Sequence, residues 1–344
     1  MNSARTICLL GGYGDVGIRV ARLLHEETSS RVVLVGRDEK RAKRAAALVG
    51  PRSEGMALDV RGPHAAEHLA EATLCINLTE ATPPKLAATF VANGTHFIDT
   101  SATPTYVADL RAAIDALPDP RATGVLETGL APGLTNLLAA RLCEDHPDTG
   151  SIDILIELGM GAHHGLAATA WTLQALDQTY PMKSQGKWQE VRTGAVSRRF
   201  TIQGRSILGV GFAFSDQQSI ARDLGLAGAR TFLAIDPGWM TNTLHWLSRA
   251  PVRRFLGGNS TAIARALQRL PVLGPPGTRV LVEGYNARGE ITGKESMSGG
   301  PQAELTSHVV AHLALALMHP ATDLPPGLQP LGMFVDPASF VERR

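Results

Sequence analysis

The chain has 344 residues, 44% of them hydrophobic and 19% charged, with 33 Lys and Arg against 32 Asp and Glu. That length exceeds one typical core and predicts two domains, each with its own apolar interior, and the near-neutral balance gives no electrostatic reason to expect nucleic acid or an acidic membrane surface as partner. Three cysteines, Cys8, Cys75 and Cys143, are too few and too odd for a disulfide scaffold.

Cys8 and Cys75 sit in apolar strand-like runs, where thiols pack as small hydrophobes, so a reducing compartment is expected. The N-terminus has no signal-peptide layout, and the most apolar helix, Val309 to Met318, is too short to span a bilayer. A soluble, cytoplasmic protein is the expectation, with no membrane partner.

In chain order, the apolar run Ile7 to Leu10 enters a glycine cluster with Gly12, Gly14 and Gly17 in G-x-G-x-x-G spacing. Val16, Val20, Leu23 and Leu24 then fall on one helix face. In this strand, turn and helix, Gly12 permits the sharp bend, Gly14 lets backbone N–H groups approach a pyrophosphate, and Gly17 allows close helix packing. The new helix end favours phosphate charge. A second strand, Arg31 to Val35, ends in Gly36-Arg37, with Asp38 able to cap the helix that continues to Val49. An acid at this strand end would accept the ribose 2′-hydroxyl of NAD. Arg37 favours a 2′-phosphate and hence NADP over NAD, unless it is a solvated loop charge.

Further strands are predicted at Gly55 to Leu58, Thr73 to Asn77, His96 to Asp99 and Gly124 to Glu127, with helices over 63–70, 85–93 and 106–117 between them. Six alternating strands specify a doubly wound parallel Rossmann sheet in the α/β class. Arg37, Asp59, Asn77, Thr79, Asp99, Thr100 and Ser101 gather just after strands, where such sheets bind ligands, although each could equally be a cap or turn residue.

A helix over Leu134 to Cys143 follows. Ile152 to Leu158 alternates strictly, as a half-buried strand of a mixed or antiparallel sheet does. A Gly and His loop precedes a helix over 166–179. A meander is expected over Lys187 to Phe214 with breaks at Thr193-Gly194 and Gln203-Gly204, then strands at Ala229 to Ile235 and Thr278 to Asn286. Helices are expected near 262–270 and over 302–318, and the Pro-rich tail packs back on the first domain. The expected domains are 1–130, a mixed α/β substrate or oligomerisation domain 131–304, and a returning segment 305–344. Trp239, Met240 and Trp246 lie in a segment apolar enough to serve a homodimer interface, with core packing the preferred reading.

The set Gly11 to Gly17, Gly36-Arg37, Ile76-Asn77, Phe97 to Thr100 and Gly129 to Asn136 resembles the saccharopine dehydrogenase family, clearly over about the first 140 residues. The resemblance implies an NAD(P)-dependent oxidoreductase that makes or oxidises a secondary amine by way of an imine. It carries pyrophosphate contacts onto Gly12, Tyr13, Gly14, Asp15 and Val16, and ribose contacts onto Arg37. It places Asp59 on the adenine side, and Asn77, Leu78, Thr79, Asp99, Thr100 and Ser101 on the nicotinamide side. The middle domain is shorter than in the saccharopine enzymes, and their substrate-binding residues have no match here.

A carboxylate such as Asp99 could stabilise an iminium ion, or could serve only as a strand-end residue bonding backbone N–H groups. His164, beside His163, could exchange a proton near neutral pH, or could bond only locally in its loop. No metal site is expected, because adjacent histidines diverge and lack partners at ligand spacing. Arg198, Arg199 and Arg205 could bind a substrate carboxylate, with surface charge the preferred reading. The expected reaction is NADPH reduction of an imine or carbonyl in a small amino-acid- or polyamine-like metabolite; the alternative is an NADP-binding sensor or scaffold without turnover.

Overall fold

A computed structural model describes residues 5–162, 165–202, 204–269, 271–319 and 324–340. The chain divides into two compact units, Met1–Gly129 with Thr306–Asp336, and Leu130–Leu305 with Pro337–Arg344. The first unit alternates strand and helix: β1 (Thr6–Leu10), α1 (Asp15–Glu27), β2 (Arg31–Gly36), α2 (Glu39–Val49), β3 (Ser53–Ala57), α3 (Ala65–His68), β4 (Leu74–Asn77), α4 (Pro84–Ala92), β5 (His96–Asp99), α5 (Pro104–Asp115) and β6 (Thr123–Val125). Local chemistry sets several helix starts. The Asp38 carboxylate accepts the Arg41 N–H at 3.0 Å and caps α2. Pro84 and Pro104 open α4 and α5, where a missing N–H costs nothing.

The second unit contains α6 (Thr135–Asp145), β7 (Ser151–Met160), α7 (Leu166–Ala175), β8 (Thr179–Ser184), β9 (Lys187–Arg192), β10 (Ser197–Ile202), β11 (Arg205–Gly211), α8 (Asp216–Asp223) and β12 (Gly228–Asp236). It continues through α9 (Gly238–Arg249), α10 (Arg253–Gly258), α11 (Ser260–Leu267), β13 (Pro276–Tyr285) and β14 (Ile291–Gly299). Then come α12 (Gln302–Leu317) and a short strand, β15 (Gly327–Leu328).

The first unit holds a seven-stranded sheet in the order β15, β6, β5, β4, β1, β2, β3, and every pair in it is parallel. The chain runs outward from β1 in one direction and from β4 in the other, so the switch point lies between these neighbours. Ligands bind such sheets in the crevice at this point, beyond the strands' carboxyl ends. The seventh strand comes from the C-terminal segment and pairs Gly327 and Leu328 with Thr123 and Gly124. Leu10, Val33, Val35, Cys75, Phe97 and Leu110 belong to the buried core that holds the strand ends still. The sixth strand stops at Val125, short of the expected Glu127, because Glu127 takes φ +60°, a left-handed conformation that no ladder accommodates.

The second sheet is mixed, in the order β10, β11, β12, β7, β13, β14, with β8 pairing both β12 and β9. Its centre corrects one expectation. The acids of β7, Asp153 and Glu157, are only 1% and 3% exposed, so the strand is buried on both faces rather than one. Arginines from other strands make this tolerable: Arg230 binds Asp153 with two bonds of 2.6 and 2.7 Å, and Arg279 reaches Glu157 at 2.6 Å. The helix expected to reach residue 179 ends at Ala175, because Thr179 to Ser184 pairs instead with β9. A third correction concerns Trp239 and Trp246, expected in a core: they stand on α9 with 57% and 65% of their surface exposed. No helix among the described residues is long and apolar enough to cross a membrane.

Candidate cofactor-binding site

The sequence from Leu10 to Ile18 builds a backbone cradle. Gly11 turns with φ +86°, its N–H donates to the Val35 carbonyl at 2.9 Å, and the Gly14 N–H closes onto Gly11 O at 2.9 Å. The first helical bond of α1 runs from the Ile18 N–H to Gly14 O at 3.0 Å. The N–H groups of Asp15, Val16 and Gly17 therefore precede any intrahelical acceptor and point from the positive end of the helix. No side chain caps this end.

The three glycines do different work. A Cβ on Gly12 would lie 2.8 Å from Leu9 O and 2.9 Å from Leu34 Cα, and one on Gly17 would lie 2.6 Å from Gly12 O. Both are fixed by backbone packing. Gly14 is exposed, and a Cβ there would meet only Gly11 O, at 3.2 Å. The space it leaves opens outward, where an anionic group can reach the amides. Asp15, half-buried in this turn, is neutralised by Arg19 Nε at 3.1 Å, so its charge does not oppose a phosphate.

Beyond β2, the Tyr13 ring lies against Gly36, where an added Cβ would come within 2.1 Å of Cε1. The Asp38 N–H donates to the Tyr13 hydroxyl at 3.4 Å, and the Arg41 guanidinium stacks 4.6 Å above the ring centroid. Arg37 is exposed. Asp59 is exposed too and accepts from Arg61 N and Nε at 3.1 and 3.2 Å, bonds that hold its carboxyl below the usual range, with Arg37 adding a smaller pull. Asp38 is committed to its cap, so the surplus charge here is arginine. Arg41 and Arg61 are the residues sequence reasoning missed; the run Gly36-Arg-Asp-Glu-Lys-Arg41 carried the signal, read only as far as Arg37.

On the other side of the switch point, the ends of β4 and β5 form one hydrogen-bonded cluster. Asn77 Nδ2 donates to Asp99 Oδ1 at 2.6 Å, and Asn77 Oδ1 accepts from the Thr82 hydroxyl at 2.7 Å. Thr100 donates twice to the Asn77 carbonyl, from N at 3.1 Å and Oγ1 at 3.0 Å. Ser101 donates to Asp99 from both N (3.0 Å) and Oγ (2.8 Å). Leu78 N–H binds Leu10 O at 2.9 Å, and a Cβ on Gly11 would lie 3.4 Å from Thr79 Cβ, so this loop adjoins the glycine turn. Glu80 ties the next loop down by accepting the N–H groups of Ala102 and Thr103, both at 2.9 Å.

Asp99 is fully buried. Desolvation pushes its carboxyl up to about 6, against the opposing bonds from Ser101 and Asn77. The carboxylate thus meets Asn77 and Ser101 and has no exposed surface. Tyr106 bridges the same cluster, donating to Thr82 O at 2.7 Å, and burial raises its phenol. Glu127, buried two residues beyond β6 and 3.8 Å from Arg111, takes a left-handed conformation that is strained for a non-glycine residue.

His163 and His164 lie outside the described residues. Of the arginines considered for substrate binding, Arg198 is spent internally: Nη1 binds Asp153 and Nη2 donates to Glu283 at 2.7 Å. Arg205 donates to Asp236 at 3.3 Å, while Arg199 is exposed. Among the described residues no group of His, Cys, Asp and Glu could hold a metal.

Residues 7–124 match the family model described as the saccharopine dehydrogenase NADP binding domain. No curated protein sequence matches the chain. Among solved structures, apo histidine-tagged saccharopine dehydrogenase (L-Glu forming) from Saccharomyces cerevisiae is similar with a TM-score of 0.64 and 16% identity, over 95% of this chain and 94% of that one. An engineered D-amino acid dehydrogenase (TM-score 0.45, 13% identity, 96% and 93% covered) and C. glutamicum DAP dehydrogenase in complex with DAP (0.44, 14%, 96% and 93%) are more distant in shape, and no argument rests on them. The yeast enzyme shares the fold, and the family model identifies the domain that the cradle serves. Residues 7–124 thus match a saccharopine dehydrogenase type of NADP-binding domain, and the chain shares its fold with the yeast saccharopine dehydrogenase.

Proposed function

We propose that this NADP-binding oxidoreductase uses NADPH to reduce the imine, or the carbonyl, of a small amino-acid- or polyamine-like metabolite. The observation that carries the reading is the turn from Gly11 to Gly17, whose uncommitted amides and open Gly14 face fit a diphosphate. Arg37, Arg41 and Arg61 beyond β2 and β3 fit the 2′-phosphate that separates NADP from NAD. The bound nicotinamide supplies the hydride. The choice of an imine is supported by the family resemblance of the motifs, including Gly129 to Asn136.

Within the chain, Asn77, Thr79, Thr100 and Ser101 shape the nicotinamide side. Asp99 is a positioning residue that orients Asn77 and Ser101 from behind. His164 enters the proposal from the sequence as the group that exchanges the proton. The test is consumption of NADPH with a panel of amines paired with aldehydes or keto acids. Turnover dependent on both amine and carbonyl partner is the expected result; turnover with the carbonyl compound alone moves the reaction to C=O reduction. Tight NADPH binding with no turnover across the panel replaces the enzyme by a sensor or scaffold.

A further inference from the structure

The side chain of Tyr13 leaves the glycine turn that its own backbone helps to form. Residue 13 stands between Gly12 and Gly14, yet its ring lies against Gly36 at the end of β2. A Cβ added to Gly36 would come within 2.1 Å of Tyr13 Cε1, 2.6 Å of Cζ and 2.9 Å of the hydroxyl. The ring thus fills the place that a side chain at position 36 would occupy, and glycine there is what admits it. The family resemblance gives Tyr13 to the pyrophosphate. Its ring instead reaches the strand end where doubly wound sheets read the ribose hydroxyls.

That ring carries a cation. Arg41, exposed in the first turn of α2, holds its guanidinium 4.6 Å from the ring centroid, inside the ~6 Å range over which an aromatic face attracts a positive charge. The acids nearest to it in sequence are committed elsewhere. Asp38 accepts the Arg41 N–H and caps the helix, and Glu39 accepts from Lys43 Nζ at 2.5 Å. An aromatic face holds the guanidinium without neutralising it, so its full charge stays available to a phosphate. An unsupported arginine on a helix surface gives up its rotamer freedom when it binds an anion, whereas one already held has less to lose. The Asp38 N–H reaches the Tyr13 hydroxyl at 3.4 Å, long for such a bond, so the ring and not the hydroxyl carries the effect.

We infer that Tyr13 is a positioning residue for cofactor selectivity: its ring holds Arg41 in place for the 2′-phosphate of NADP before the cofactor arrives. The inference rests on the proposed reading of Arg41 as a 2′-phosphate ligand, and it adds the residue through which that ligand is preorganised.

The experiment is calorimetric titration of the full chain with NADPH and with NADH, for wild type, Tyr13→Leu, Tyr13→Phe, Arg41→Ala and the double variant Tyr13→Leu/Arg41→Ala. Tyr13→Leu keeps apolar bulk against Gly36 and removes the aromatic face. It is expected to weaken NADPH about fivefold, roughly 1 kcal/mol, and NADH less than twofold; should it not fold, Tyr13→Met, with a more adaptable chain, makes the same test. Tyr13→Phe is expected to bind both cofactors within twofold of wild type. Added to Arg41→Ala, Tyr13→Leu is expected to change NADPH affinity less than twofold, because the group it acts through is gone. Equal losses for NADPH and NADH in Tyr13→Leu would overturn the inference in favour of a ring that touches the part the two cofactors share. A full fivefold loss that persists on the Arg41→Ala background, or that appears in Tyr13→Phe, would overturn it in favour of direct contact or of the hydroxyl. Unchanged NADPH binding in Tyr13→Leu would overturn it outright. Each of these results leaves Arg41 at the 2′-phosphate. That reading fails separately, and the inference with it, if wild type binds NADPH no more tightly than NADH or if Arg41→Ala weakens both alike.

Discussion

At the scale of single residues, the glycine turn makes separable claims. Gly17 is held against the Gly12 backbone, so Gly17→Ala must push α1 away from the turn and is expected to lower thermal stability as well as NADPH affinity. At Gly14 an added Cβ meets only Gly11 O, at 3.2 Å, a tight contact that the turn relieves by a shift of a few tenths of an ångström, whereas a side chain and a phosphate together do not fit. Gly14→Val is therefore expected to leave the melting temperature within about 2 °C, a change of under roughly 0.5 kcal/mol, and to weaken NADPH at least tenfold. Equal losses in melting temperature for both variants would show that Gly14 serves packing. Arg41 makes a second claim, since its guanidinium is fixed over Tyr13 beside the end of β2. Arg41→Ala is expected to cost NADPH about tenfold, roughly 1.4 kcal/mol, while NADH binding changes less than twofold; parallel losses for both cofactors would remove Arg41 from the 2′-phosphate. His164→Gln is expected to lower kcat about 100-fold, the low end of general acid–base effects, without altering NADPH affinity. An unchanged kcat would exclude His164 from proton transfer.

At the scale of elements, buried acids couple folding to pH. In the second unit the Asp216 carboxylate, fully buried and bonded by Thr135 at 2.8 Å and Thr231 at 2.6 Å, is pushed up to about 6 by desolvation, as Asp99 is in the first. An acid whose folded value exceeds its unfolded one binds its proton more tightly when folded. Its stabilising contribution is complete below the unfolded value of 3.8 and is lost as pH rises through about 6. The stability of wild type relative to Asp216→Asn is therefore expected to fall by about 3 kcal/mol between pH 3.5 and 7 at 1.36 kcal/mol per unit, read by urea unfolding across that range. A flat difference, or one that rises with pH, would contradict the burial argument.

The elements also show what the sequence carried. The strand, turn and helix from Ile7 to Leu24 was legible because glycine spacing, apolar periodicity and the adjoining β-branched run all agree. Asp153 and Glu157 were misleading, since a period of two reads as one wet face. Only the arrival of Arg198, Arg230 and Arg279 from strands distant in sequence makes that face dry. The strand Thr179 to Ser184 has no assignment in the sequence reading beyond residue 179 for a similar reason: pairing with β9 decides it, and no local residue signals that partner. Arg41 lay in plain view but gains meaning only once Tyr13 is seen beneath it.

At the scale of the molecule, each unit has its own sheet and buried core, and the seven parallel strands of the first converge on the crevice between β1 and β4. The account stands on that crevice holding NADP. The most direct measurement is calorimetric titration of the full chain with NADPH and with NADH, repeated on Gly14→Val. The account predicts one site per chain, NADPH bound at least tenfold more tightly than NADH, and loss of most of that affinity in the variant. Absence of heat with either nucleotide, or NADPH bound equally well by Gly14→Val, would contradict it.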